Sequence, residues 1–198
     1  LETHVDDLVD TLGTLHLARV DVVGHSFGGR LGLELAARHP ERVRRLALLD
    51  PAVWVPPPVA LRRAELTRVE QTYASIDEAV EERLASSVNA DRVMVAAELR
   101  EHMRLGGDGL WRPRYLRAAV IAAYGEMAKP PPLDRITAPT LLVRGADSEV
   151  VPDAILDVVC ATLPSCESVT VPGGHIVMWD AFEETAAALL EFLAPARV

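Results

Sequence analysis

The sequence predicts an α/β fold, a mostly parallel sheet flanked by helices with a helical segment inserted into it, and three observations carry that prediction. Short apolar runs alternate with stretches of helical periodicity, the pattern of a sheet buried on both faces. Six residues, Gly24-His25-Ser26-Phe27-Gly28-Gly29, join one apolar run to a helix-forming one. Two proline triplets, Pro56-Pro57-Pro58 and Pro130-Pro131-Pro132, bracket a region in which the strand pattern stops.

The elements follow in order. Val5, Leu8, Val9, Leu12 and Leu15 recur at three and four and form the apolar stripe of an opening helix. A strand at Val20 to Gly24 leads through Ser26 into a helix with Leu31, Leu35 and Ala36 facing inward, then to a strand at Arg45 to Leu49. After the insertion come a strand at Thr140 to Arg144, a helix at Pro152 to Leu163 and a strand at Glu167 to Val171. A last helix places Phe182, Ala186, Leu189, Leu190 and Leu193 on one face. The expected core is residues 1–55 and 133–198, with 56–132 inserted between the second and third strands.

Polyproline stretches are semi-rigid, lack backbone donors and stop both helices and strands, so the triplets suit struts joining an insert to a core. Between them the pattern is of helices alone. Ser75-Ile76-Asp77-Glu78 begins one as a capping box, and Gly106-Gly107-Asp108-Gly109 makes a flexible loop between the last two. Such a cap lying over Ser26 would shape a substrate pocket from Trp54, Met103, Trp111, Tyr115, Tyr124 and Met127, unless these side chains only hold the cap together. Arg62, Arg63 and Arg68 read as a solvated face.

The G-x-S-x-G run is a nucleophile elbow, a strand-to-helix turn so tight that Ser26 is strained and its flanks at Gly24 and Gly28 have to be nearly free of side chain. It exposes the serine hydroxyl and aims the Phe27 amide N–H, backed by the helix dipole, at the place where a carbonyl oxygen would gather charge. An elbow serine needs a base, and the base an orienting acid. Asp147 lies in the loop after the Thr140 strand, and His175 in a glycine loop after the Glu167 strand, both past carboxyl strand ends. Asp50, also past a strand end, is the alternative acid, with Asp147 preferred. His4, His16, His39 and His102 read as structural or surface residues, and His25 as a packing or hydrogen-bonding residue beneath the elbow.

With these residues in the order serine, acid, histidine, the chain resembles the α/β-hydrolase superfamily from its first helix to its last. The resemblance implies Ser26 as nucleophile, His175 as general base and then acid, and Asp147 as the residue fixing the imidazole tautomer. A serine rather than an aspartate at the elbow argues for acyl transfer to water, on a carboxylic ester or related acyl substrate and with no cofactor. A carbon–carbon bond hydrolase, a lactonase or a thioesterase would look nearly the same, and a ligand-binding or sensor module on this fold is the alternative outside enzymes. Members of the superfamily carry further strands before the elbow strand and draw a second oxyanion N–H from one of their loops. The chain therefore reads as an amino-terminally truncated form of the fold.

Composition agrees. With 198 residues, 49% of them hydrophobic and 25% charged, the chain buries a sizeable core. A net charge of −9 disfavours nucleic acid and anionic membranes as partners, and the resemblance implies a small-molecule acyl substrate. No apolar run approaches the roughly 20 residues of a membrane span, and a cytoplasmic location is expected. Cys160 and Cys166 are in no metal-ligand pattern and read as core thiols, and no metal is expected.

Overall fold

The computed structural model describes residues 1–87 and 89–195. Helix α1 (Glu2–Thr14) leads to strand β1 (Val20–His25), helix α2 (Phe27–Arg38) and strand β2 (Val43–Leu49). The insertion carries α3 (Pro57–Thr67), α4 (Ile76–Ala85), α5 (Arg92–His102), β3 (Met103–Leu105), β4 (Trp111–Pro113) and α6 (Arg117–Met127). The core resumes with β5 (Thr140–Gly145), α7 (Asp153–Thr162), β6 (Cys166–Val171), α8 (Val177–Asp180) and α9 (Phe182–Leu193).

Strands β1, β2, β5 and β6 pair in that order, all parallel. Their side chains alternate between two apolar layers. Leu46, Leu48 and Leu142 pack with Val5, Leu33 and Val159 on one face. Ala47, Leu49, Leu141 and Val143 pack with Val177 and Ala181 on the other. Burying each such leucine contributes about 1.5–3 kcal/mol, which makes this double-sided packing the main support of the sheet.

Several expectations change. The region of Gly106 to Gly109 is the turn of a hairpin, not a helix-to-helix loop: β3 and β4 pair antiparallel, and Trp111 bridges to Tyr73. Three-residue strands are too short for periodicity to reveal. Leu8 and Leu15 of the α1 stripe are exposed while Val5 is fully buried, and on α9 Phe182 and Leu190 are exposed while Thr185 is buried. Cys160 and Cys166 are disulfide-bonded rather than free thiols, tying α7 to the start of β6. The Ser75 half of the capping box is present, the Glu78 N–H donating to Ser75 Oγ at 3.1 Å, while the Glu78 carboxylate accepts from the Ala74 N–H at 2.6 Å, one residue before the cap.

A third apolar cluster joins the insertion to α8. Val80 of α4 and Val95 and Ala96 of α5 enclose Trp179, with Ile176 packed alongside. The Arg83 guanidinium lies 5.6 Å from the Trp179 ring centroid. The insertion is thus seated against the segment that immediately follows His175. No helix among the described residues is long and apolar enough to cross a membrane.

Candidate active site

The elbow is built as the sequence predicts, with one change in which glycines it needs. Ser26 has φ 52° and ψ −117°, a conformation that costs a non-glycine residue roughly 1–3 kcal/mol and that the turn holds in place. A Cβ on Gly24 would lie 2.4 Å from Gly28 O, and one on Gly29 would lie 2.7 Å from Pro51 Cβ. A Cβ on Gly28 would meet open space, so the crowded positions are Gly24 and Gly29. The Ser26 N–H donates to Leu49 O at 3.0 Å, and Ser26 O accepts from the Ala52 N–H at 3.0 Å and the Arg30 N–H at 3.1 Å. These bonds lock the serine between β2 and its own helix. Phe27 begins α2, where its amide has no preceding helical carbonyl to bind, and its ring packs edge-on to His4 with centroids 5.9 Å apart.

His175 Nε2 lies 2.8 Å from Ser26 Oγ. Its Nδ1 lies 2.6 Å from an oxygen of Asp50, not of Asp147. With Nδ1–H donated to that carboxylate, Nε2 presents its lone pair to the serine hydroxyl. His25 Nε2–H donates to the His175 backbone carbonyl at 2.9 Å, and the two rings lie 4.8 Å apart, tilted by 36°. Burial pushes the His25 pKa down, which favours the neutral ring as donor. His25 therefore hydrogen-bonds under the elbow, as expected.

The preference for Asp147 is corrected by strand order. β2 is the direct neighbour of β1, with Leu49 beside His25, whereas β5 is one strand further out. A histidine leaning in from β6 toward Ser26 crosses the end of β5 and comes to rest over the end of β2. The crossing is close, since a Cβ on Gly145 would lie 2.0 Å from Gly174 O. Asp50 is fully buried, with φ 40°, so its carboxylate turns back under the imidazole. Asp147 is exposed and makes a backbone hydrogen bond, from its N–H to Gly173 O at 2.9 Å.

The residue after Asp147 is one that sequence reasoning missed. Ser148 donates its hydroxyl to Asp50 Oδ2 at 2.5 Å while accepting from the Val150 N–H at 3.1 Å, which fixes the hydroxyl rotor. The Gly145 N–H reaches Asp50 Oδ1 at 3.1 Å. Three donors thus converge on one buried carboxylate, the condition under which burying a charge is tolerated. Asp180 was missed as well: its Oδ2 accepts from the Gly174 N–H at 2.7 Å and braces the histidine loop, where Gly173 has φ 93°. Neither residue stands in a motif, so spacing alone could not have found them.

The aromatic candidates are dispersed. Trp54 donates its indole N–H to Ala128 O at 3.0 Å, joining the two stems of the insertion. Trp111 pairs with Tyr73 inside the insertion, and Tyr115 is half exposed with its hydroxyl 3.4 Å from Gln71. Tyr124 is half-buried on α6, and Met103 and Met127 are buried. The Trp54 side chain thus joins the stems of the insertion, whereas the Trp111 bridge to Tyr73 is made by backbone groups.

A family model described as the alpha/beta hydrolase family matches residues 1–188. A lipase, LipV, of Mycobacterium tuberculosis is 29% identical over 199 residues, spanning 98% of this chain and 76% of that protein. A 2-(acetamidomethylene)succinate hydrolase of Mesorhizobium japonicum is 31% identical over 207 residues, spanning 96% of this chain and 69% of that protein. A crystal structure of E-2-(acetamidomethylene)succinate hydrolase superposes with a TM-score of 0.83 at 26% identity, over 96% of this chain and 72% of that one.

Proposed function

The chain belongs to the alpha/beta hydrolase family, and on that premise we propose that it is a serine hydrolase acting on a carboxylic ester or related acyl compound through an acyl-enzyme. The single observation that carries the reading is the continuous hydrogen-bond line from Ser26 Oγ through His175 to buried Asp50. Ser26 Oγ attacks the acyl carbon as its proton passes to His175 Nε2. The Phe27 N–H, at the positive end of α2, takes up the developing oxyanion charge. The carbon–oxygen bond to the leaving group breaks, and the alcohol departs with the proton from Nε2. Water then gives a proton to Nε2 and attacks the acyl carbon, and collapse releases the acid and restores Ser26. Asp50 holds Nδ1–H throughout and balances the imidazolium.

The insertion supplies the acyl pocket in this reading. Its supports are the packing of Ile176 and Trp179 into the α4–α5 cluster and the joining of its stems above α2. A second reading, cleavage of an acyl–nitrogen bond by the same steps, is favoured by the acetamido group in the name of the Mesorhizobium relative. Both predict that a fluorophosphonate labels the protein at Ser26 and that Ser26→Ala abolishes labelling and lowers turnover by several powers of ten. A panel of p-nitrophenyl esters and the matching anilides ranks the two. Labelling at another residue, or full turnover in the alanine variant, refutes the assignment.

A further inference from the structure

Arg30 is the largest charged side chain in the interior, 1% exposed, and the proposed chemistry does not use it. It lies on α2 one turn beyond Ser26, and its backbone N–H donates to Ser26 O. Its Nη1 donates to Val53 O at 2.6 Å and to Lys129 O at 2.7 Å. Val53 belongs to the stem by which the chain enters the insertion, and Lys129 to the stem by which it returns. The stems run antiparallel, with the Val55 N–H donating to Met127 O at 3.0 Å and the Trp54 indole N–H to Ala128 O at 3.0 Å. At the next rung the Val53 and Lys129 carbonyls share one guanidinium nitrogen as their donor. Nη2 is held by Glu34 at 2.9 Å, and Glu34 in turn by Arg38 at 3.1 Å.

Burying a guanidinium costs several kcal/mol even when its Nη donors are matched, and here Nε has no partner, whereas apolar residues would fill this space without that cost. What an arginine adds is one rigid fork that binds both stems and the helix of the nucleophile together. The insertion has a second anchor at Ile176 and Trp179, one and four residues past His175. It is therefore fixed close to both residues that share the proton. We propose that Arg30 is a positioning residue that sets the stance of the insertion over Ser26 and thereby the selectivity for the acyl group, an inference that rests on the ester hydrolase reading above.

The test compares the wild-type chain with Arg30→Lys and with the double variant Arg30→Met, Glu34→Gln, which removes both buried charges and so leaves neither orphaned. Two quantities are read: hydrogen exchange at the Val55 amide, and kcat/KM for p-nitrophenyl acetate against the octanoate. The Val55 amide should exchange at least about tenfold faster in both variants, as expected when a stabilising cross-link of its ladder is lost. The octanoate to acetate ratio should fall about tenfold or more, mainly through KM, with acetate turnover within about threefold of wild type, because remote contacts carry selectivity for the long chain. Unchanged exchange at Val55 overturns the clamp. Faster exchange with an unchanged ratio, or equal losses on both esters, overturns the selectivity role. A wild-type chain that hydrolyses neither ester and takes no fluorophosphonate defeats the hydrolase reading and the selectivity role with it, while exchange at Val55 still decides the clamp.

Discussion

Asp50 and Asp147 stand in equivalent places, each just past the carboxyl end of a parallel strand, yet one carboxylate is buried among donors and the other is exposed. Asp50 is enclosed, its backbone at φ 40°, its N–H bonded to Val143 O at 2.7 Å and its carboxylate receiving Gly145, Ser148 and His175. Asp147 is turned to solvent by a loop in which the Ser148 N–H returns to Gly145 O at 3.1 Å. The contrast teaches that a strand end supplies a position, whereas the chemistry of a carboxylate is set by burial and by the donors that converge on it. The loop after β5 still serves the site, through the hydroxyl of Ser148 rather than the carboxylate beside it.

The sharpest way to break this comparison is to exchange the two acids for amides. Asp50→Asn should lower kcat by about 10⁴, since the amide favours the wrong imidazole tautomer and carries no charge. Asp147→Asn should change activity and stability within about 0.5 kcal/mol, as for an exposed residue outside any network. The reverse ranking in steady-state kinetics on the same ester would return the orienting role to Asp147.

The approach of the histidine loop over β5 is tested at Gly145. A side chain there would drive into Gly174 O, so Gly145→Ala should destabilise the fold by about 3 kcal/mol or more, read as a shift in the denaturant midpoint. Gly28→Ala is the matched control. It places a methyl in open space at the first turn of a helix and should leave the midpoint within about 0.5 kcal/mol of wild type.

Removing the hydroxyl of Ser148 sharpens the comparison further. A hydrogen bond to a charged group is worth about 1.5–3 kcal/mol, so Ser148→Ala should cost roughly ten- to a hundredfold in kcat with KM little changed. Ser148→Thr keeps the hydroxyl and should recover most of that loss. Equal rates in the alanine variant and wild type would show that the Gly145 N–H and the imidazole suffice to hold Asp50.

The sheet and the elbow were legible in the sequence because their causes are local. Apolar runs such as Leu46 to Leu49 reflect strands buried on both faces, and a glycine two positions before Ser26 reflects the contact of its backbone with the turn of α2. The histidine was legible for the same reason, as a residue in a glycine loop past a strand end. The helices between the proline triplets were legible, although Pro57 and Pro58 open α3 rather than forming a strut outside it, and the hairpin was not, since strands of three residues leave no period to read.

What the sequence alone could not decide was which groups meet. Strand order places β2 between β1 and β5, and that order, not the spacing along the chain, brings Asp50 under His175. Ser148 and Arg30 act through contacts with residues 98 and 99 positions away, and the disulfide closes only because α7 packs back onto β6. Local propensity and periodicity fix which segments become strands and helices, since these depend on neighbours within a few residues. The pairing of buried charges depends on layers that exist only once the chain has closed on itself, and there the tertiary structure alone chooses the partners.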